Sequence, residues 1–310
     1  MKKNERAPRE VEKFRDLARR VIEHHFDGAK QVKYLSGGLT NFVFSFRSKD
    51  GDFVIRISPD PQRLGPFIKE QWANAKAKEA GIPVAEILEV GSEMIGFPYM
   101  VNRAIEGSDA THHPKRLEIL KELGRLGAKI NSIRTKGFGQ SFDWSDNKLS
   151  RNSTFKDWLY GEYDADGKVD LLAKHKLITP DRSRLLKKIF KESASSRVRP
   201  VLNHSDLRLK NVIADDEGRI KALIDWEGCT SNIAPAWELS LALHDLGPDE
   251  TQYFLEGYGI KAKKLEESMP LIRAFNITNY ATAVEKVAKD KKLFDHYRLR
   301  LNGMLDLYSI

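Results

Sequence analysis

The 310 residues carry 41% hydrophobic, 31% charged and 9% aromatic side chains, a balance that excludes wholesale disorder and is long enough for two folded lobes. Lys and Arg number 52 against 44 Asp and Glu, a net charge of +8, and the single cysteine, Cys229, excludes an internal disulfide or a cysteine-based metal site. No apolar run reaches the length of a membrane span or of a signal-peptide core, so the expectation is a cytoplasmic chain without a membrane partner.

Glu10 to Phe26 spaces Val11, Phe14, Leu17, Ala18, Val21 and Ile22 three and four residues apart, which predicts an amphipathic opening helix. From Val32 to Ser58 the period changes. VKYL, NFVFSF and DFVIRIS, separated by SGGLT and SKDG, read as a three-stranded antiparallel meander. Phe67 to Ala80 returns to helical spacing and stops at Gly81 with Pro83 beyond, and EILEVG and PYMVNRAI then predict two further strands. Past Gly107 the strand signal fades. Lys115 to Ile133 sets Leu117, Leu120, Leu123, Leu126 and Ile130 on one helical face, and Thr135 to Asp170 reads as an irregular insertion or mobile connection. Short strands flank a polar loop between Pro200 and Ile224, and helices run from Pro235 to the end. The reading is an α+β chain: an antiparallel-sheet lobe over residues 1–102, a connection at 103–107, and a larger, mainly helical lobe over 108–310.

The basic charge is uneven. Val201 to Ile260 holds eleven acidic residues against four basic ones, an acidic island that is either a solvated face or a place for metal ions or a cationic ligand. Within it stand His204-Ser205-Asp206-Leu207, Asn211 five residues after the aspartate, and Ile224-Asp225-Trp226-Glu227. Phosphoryl transfer requires an acceptor to orient an incoming hydroxyl and oxygen ligands to hold Mg²⁺ against phosphates, and Asp206, Asn211 and Asp225 are groups of that kind. Taken one at a time, each equally suits the capping of a turn.

Together, and in this order, HSDLRLKN and IDWE resemble the catalytic elements of the aminoglycoside phosphotransferase and choline kinase superfamily, H-G/N-D-L-x-x-x-N and I-D-W-E/D. The resemblance extends over roughly Lys33 to Gly259. It implies a bilobal protein-kinase-like fold and an ATP-dependent transfer of the γ-phosphate to a hydroxyl of a small-molecule acceptor. It further implies that Asp206 is the catalytic base or hydroxyl-orienting carboxylate, that His204 orients the loop, that Asn211 and Asp225 bind Mg²⁺, and that Glu227 is a further acid of the metal site.

On the same resemblance, SGGLTNFVFSF covers the phosphates of ATP through Ser36, Gly37, Gly38, Thr40 and Asn41. Arg56 on the third strand stands where protein kinases carry lysine, with Glu70 of the following helix as its ion partner, and Arg103 to Ile105 meet the adenine edge. Two positions depart from the common pattern: Arg56 brings a wider fork than lysine, and Glu238 stands where the family's P-x-x-D-L has aspartate. These departures motivate an alternative, a nucleotide-binding pseudokinase acting as an interaction module.

Acceptor recognition falls to the helical lobe. Asp245, Asp249, Glu250 and Glu256 are candidates to meet a cationic amine, or are solvated charges, while Trp144, Phe155, Trp158, Tyr160 and Tyr163 either wall a pocket or pack the insertion. A pI near 9.3 suits an anionic partner, yet the chain shows no nucleic-acid-binding motif, and no D-F-G or A-P-E follows the loop as in protein kinases.

Overall fold

In a computed structural model, which describes residues 6–36, 40–140, 152–195 and 197–307, helix α1 (Pro8–His25) is followed by β1 (Lys30–Tyr34), β2 (Phe42–Ser48) and β3 (Gly51–Ile57). Helix α2 (Leu64–Glu79), β4 (Ile87–Gly91), β5 (Tyr99–Arg103) and the two-residue β6 (Ser108–Asp109) come next. Helices α3 (Arg116–Ile130), α4 (Phe155–Asp157), α5 (Ala165–Lys174) and α6 (Pro180–Ala194) lead to β7 (Val201–Asn203), β8 (Val212–Ala214), β9 (Ile220–Leu223) and β10 (Thr230–Asn232). The remaining helices are α7 (Ala236–Ala242), α8 (Pro248–Tyr258), α9 (Ala262–Thr278), α10 (Tyr280–Val287) and α11 (Lys291–Leu307). The chain forms two compact units, Met1–Arg116 with Leu209–Glu227, and Leu117–Arg208 with Gly228–Ile310.

The first unit is built on a five-stranded sheet in the order β1-β2-β3-β5-β4, every neighbour antiparallel. Alternation explains it: Phe42, Phe44 and Phe46 of β2 and Phe53, Ile55 and Ile57 of β3 share one face and are buried. Helix α1 lays Phe14, Ala18, Val21 and Ile22 on that face, with the Phe14 ring stacked 4.0 Å from Phe42. Each such side chain removed from water contributes about 1.5–3 kcal/mol, which makes β3 a rigid platform. Arg56, between Ile55 and Ile57, therefore points to the opposite face. The segment 209–227 also belongs to this unit, through a sheet in the order β6-β8-β9 and a bond from Leu223 N–H to Pro83 O of 2.8 Å.

In the second unit, α3 buries Leu120, Leu123, Leu126 and Ile130, as its spacing predicts. It meets α8 through glycine, since a Cβ on Gly124 would stand 2.0 Å from Phe254 O and one on Gly257 1.7 Å from Lys121 O. Within 135–170, the described residues from 152 onward are more regular than the sequence reading. A capping box of Thr154 and Asp157 starts α4, a π-helical turn follows at Trp158–Glu162, and α5 begins at Ala165. Trp144 lies outside the described residues. No helix among the described residues is long and apolar enough to cross a membrane.

Candidate active site

The first unit gathers one group of the candidate residues around Arg56. Its guanidinium reaches Glu70 Oε1 at 2.6 Å, with the two side chains 16% and 4% exposed. It also lies 5.4 Å above the ring of Phe67. Burial opposes the Arg56 cation, but Glu70, followed by Asp225 and Glu227, outweighs burial and raises its pKa above the ordinary value. Asn211 and Asp225 are brought together by the backbone, since Ile224 N–H donates to Asn211 O at 2.9 Å. Asp225 itself takes a left-handed φ of +69°. The turn that holds it there is anchored by Trp226, fully buried, whose Nε1 donates to Leu223 O at 3.0 Å. Glu227 receives Arg63 at 3.2 Å. Arg63 was not singled out in the sequence, where nothing links it to a position 164 residues away.

Asn211, Asp225 and Glu227 offer amide and carboxylate oxygens, the hard donors that Mg²⁺ accepts alongside phosphate oxygens. Among the described residues no three His, Cys, Asp or Glu side chains form a metal site by themselves. The oxygen donors fit a hard divalent cation such as Mg²⁺. Of the loop residues, Ser36 is exposed, Thr40 half-buried and Asn41 buried, while Gly37 and Gly38 lie outside the described residues. Arg103 N–H and Ala104 N–H are taken within the unit by Glu86 O and Asp52 O, both at 2.9 Å. The Arg103 side chain turns to Glu86 and to Asp50 O.

The second unit holds His204 and Asp206, so that the run from Asp206 to Asn211 passes from one unit to the other. Strands β7 and β10 pair antiparallel and deliver the chain to His204. There Glu238 of α7 accepts two successive amides, His204 N–H on Oε2 at 2.6 Å and Ser205 N–H on Oε1 at 3.0 Å. Ser205, with φ +66°, is the left-handed residue that turns these amides to one side. Its hydroxyl receives Trp237 Nε1 at 3.0 Å. Burial pushes the Glu238 carboxyl up to about 7 against the lowering pull of the two amides. Asp206 Oδ1 meets Arg208 Nε at 2.8 Å. Arg208 was visible in the motif but carried no assigned role.

Three of the four acidic candidates for acceptor binding are engaged. Asp245 meets Arg208 and Arg300, Glu250 accepts Gly247 N–H at the start of α8, and Glu256 pairs with Lys121. Three of the five aromatic candidates pack into the interior. Phe155, Trp158 and Tyr163 are buried, and Trp158 and Tyr163 sit edge-on to Trp237 at 5.2 and 5.6 Å, behind the loop that carries Asp206. Tyr160 is half-buried.

Comparisons with known proteins place the family and the fold. The phosphotransferase enzyme family matches residues 31–272, most of the chain, and the chain belongs to that family. The hygromycin-B 4-O-kinase of Escherichia coli is 24% identical over 231 residues, 73% of this chain; the match spans 64% of that relative's length. Among solved structures, a thermostable mutant of aminoglycoside phosphotransferase APH(4)-Ia in complex with AMP-PNP and hygromycin B superposes with a TM-score of 0.67 at 20% identity, covering 92% of this chain and 96% of that one. The macrolide 2'-phosphotransferase MphH of Brachybacterium faecium superposes with a TM-score of 0.59 at 17% identity, covering 94% and 98%. The fold is therefore the α+β, protein-kinase-like fold of these phosphotransferases.

Proposed function

We propose that this chain is an ATP-dependent phosphotransferase that moves the γ-phosphate to a hydroxyl of a small-molecule acceptor, of the aminoglycoside-like, amino-alcohol or related kind. The observation that carries the reading is the gathering of Arg56, Glu70, Asn211, Asp225 and Glu227 on one unit, with Asp225 and Glu227 acting electrostatically on Arg56. Arg56, held by Glu70, meets the phosphates, and Ser36, Thr40 and Asn41 belong to the turn that covers them. With Arg103 and Ala104 N–H committed inside the unit, Ile105 is the amide of that stretch left for an adenine edge. Asp206 accepts the hydrogen bond of the acceptor hydroxyl and, as the bond to phosphorus forms, its proton. Asn211, Asp225 and Glu227 would hold the magnesium ion, whose chemistry when bound is to neutralise phosphate charge. A cytoplasmic setting and a small acceptor, rather than nucleic acid, fit this chemistry.

The closeness of the Arg56 and Glu70 charges, and the grip of Glu238 on the loop, weigh against the pseudokinase alternative that those two positions had motivated. The test is Mg²⁺-dependent ADP release with ATP and with GTP, across hygromycin B, other aminoglycosides, a macrolide, choline and hydroxylated amino acids. Acceptor-stimulated release with at least one compound is expected. Nucleotide binding without turnover across the whole set would instead favour the interaction module.

A further inference from the structure

A chain of alternating charges runs through the second unit from its last helix to Asp206. Arg208 places Nε 2.8 Å from Asp206 Oδ1 and NH1 3.3 Å from Asp245 Oδ2. Arg300 of α11 donates to the other oxygen of the same carboxylate, Asp245 Oδ1. Arg208 thus has two carboxylates within reach, and Asp245 has two guanidiniums. Arg208 Nε is itself buried, but all four side chains keep between 23% and 41% of their surface exposed, so that partners can exchange. The other groups facing the chain are Glu238 beside Asp206, and His244, Tyr280 and Tyr297 beside Asp245 and Arg300. Burial holds His244 toward its neutral form and keeps Tyr280 protonated.

We propose that Arg300 is a positioning residue for Asp206: by competing for Asp245, it decides how firmly Arg208 sits on the carboxylate. The proposal rests on the reading of Asp206 as the group that orients the hydroxyl. A guanidinium on Asp206 occupies an oxygen the hydroxyl needs and makes the carboxylate a weaker base. Without Arg300, Asp245 is left to Arg208 alone and draws it away, which releases Asp206. Without the charge of Asp245, Arg208 closes on Asp206. The two losses act in opposite directions, both through Arg208.

The experiment uses the full chain, with crystal structures of Arg300→Gln and Asp245→Asn and the hydrolysis of Mg·ATP to ADP and phosphate, water taking the place of the acceptor. In Arg300→Gln the Arg208–Asp206 contact should open beyond about 4 Å, and turnover should rise about two- to fivefold with KM for Mg·ATP unchanged. In Asp245→Asn the contact should persist and turnover should fall by a similar factor. Arg300→Lys should restore wild-type behaviour, and in an Arg208→Gln background both effects should vanish. An unopened contact in Arg300→Gln overturns the proposal, as do effects that survive without Arg208, which would be long-range field or packing changes. A wild-type chain that hydrolyses no ATP, alone or with acceptors, would count against the phosphotransferase reading, and the two crystal structures would still decide whether Arg300 governs Arg208.

Discussion

The carboxylate of Glu238 takes the amide of His204 at 2.6 Å and, with its other oxygen, the next amide along. One side chain from α7 thereby sets the backbone of the loop two residues before Asp206. The extra methylene of glutamate over the family's aspartate does not prevent the grip. Asn131 adds a long contact of 3.5 Å to Oε2, and Tyr258 O–H in turn donates to Asn131 Oδ1 at 2.6 Å.

This brace gives folding a specific pH dependence. The Glu238 carboxyl, pushed up by burial from 4.5 to about 7, keeps in the folded chain a proton that the unfolded chain releases. Its contribution to stability is fully present below pH 4.5 and is lost as pH rises through 7. The shift corresponds to about 3 kcal/mol. Glu238→Gln, uncharged throughout, should remove that slope. In urea titrations the unfolding free energy of the wild type minus that of the variant should fall by about 3 kcal/mol across this window. A difference independent of pH would show that the carboxyl titrates normally.

Local pattern carried much of the architecture, and its limits are physical. The alternation of Phe42, Phe44 and Phe46 and the stop at Gly81, with φ +69°, were readable because strand faces and helix ends are properties of neighbouring residues. The His204 to Asn211 and Asp225 motifs were readable because their spacing is short. The placement of 209–227 beside Ser108 and Pro83 was not, since a pairing across more than a hundred residues leaves no periodic trace. The same holds for Arg300, which finds Asp245 from 55 residues away. Trp158 and Tyr163 read equally as pocket wall or packing; the neighbourhood of Trp237 and Phe275, supplied by other helices, settles the matter.

The Arg56–Glu70 pair separates stability from activity. Arg56→Met leaves Glu70 buried without its cation and should cost about 3–5 kcal/mol in chemical denaturation. The double variant Arg56→Met with Glu70→Met fills the same space without charge and should recover most of that loss. Its Mg·ATP turnover should nevertheless stay abolished if, as proposed, the Arg56 guanidinium meets the phosphates. A double variant as unstable as the single one would mean the pair is held by something other than mutual charge.

The contact between α3 and α8 tolerates no side chain at Gly257. A methyl group there would meet the Lys121 carbonyl at 1.7 Å, and backbone cannot step aside as a flexible side chain does. Gly257→Ala should destabilise the chain by about 1–3 kcal/mol. Gly65→Ala in α2, where no atom lies within 4 Å of the added carbon, should be neutral or stabilise by up to about 1 kcal/mol. Thermal unfolding midpoints of the two variants, measured side by side, check the contrast.

Asp206 and Asp225 should fail in different ways. Asp206 keeps 23% of its side-chain surface exposed, so Asp206→Ala should leave the fold intact by circular dichroism. Its turnover should nevertheless fall about 10²- to 10⁴-fold, the usual loss on removing a general base. Asp225 occupies a left-handed conformation that asparagine also adopts readily, so Asp225→Asn should keep the turn beside Trp226 while deleting one anionic oxygen. Half-maximal ADP release by Asp225→Asn should then require about tenfold more Mg²⁺ or beyond, whereas Asp206→Ala should show no change in its Mg²⁺ requirement. Equal Mg²⁺ curves for Asp225→Asn and the wild type would remove Asp225 from the metal site, and full turnover by Asp206→Ala would remove the proposed proton acceptor.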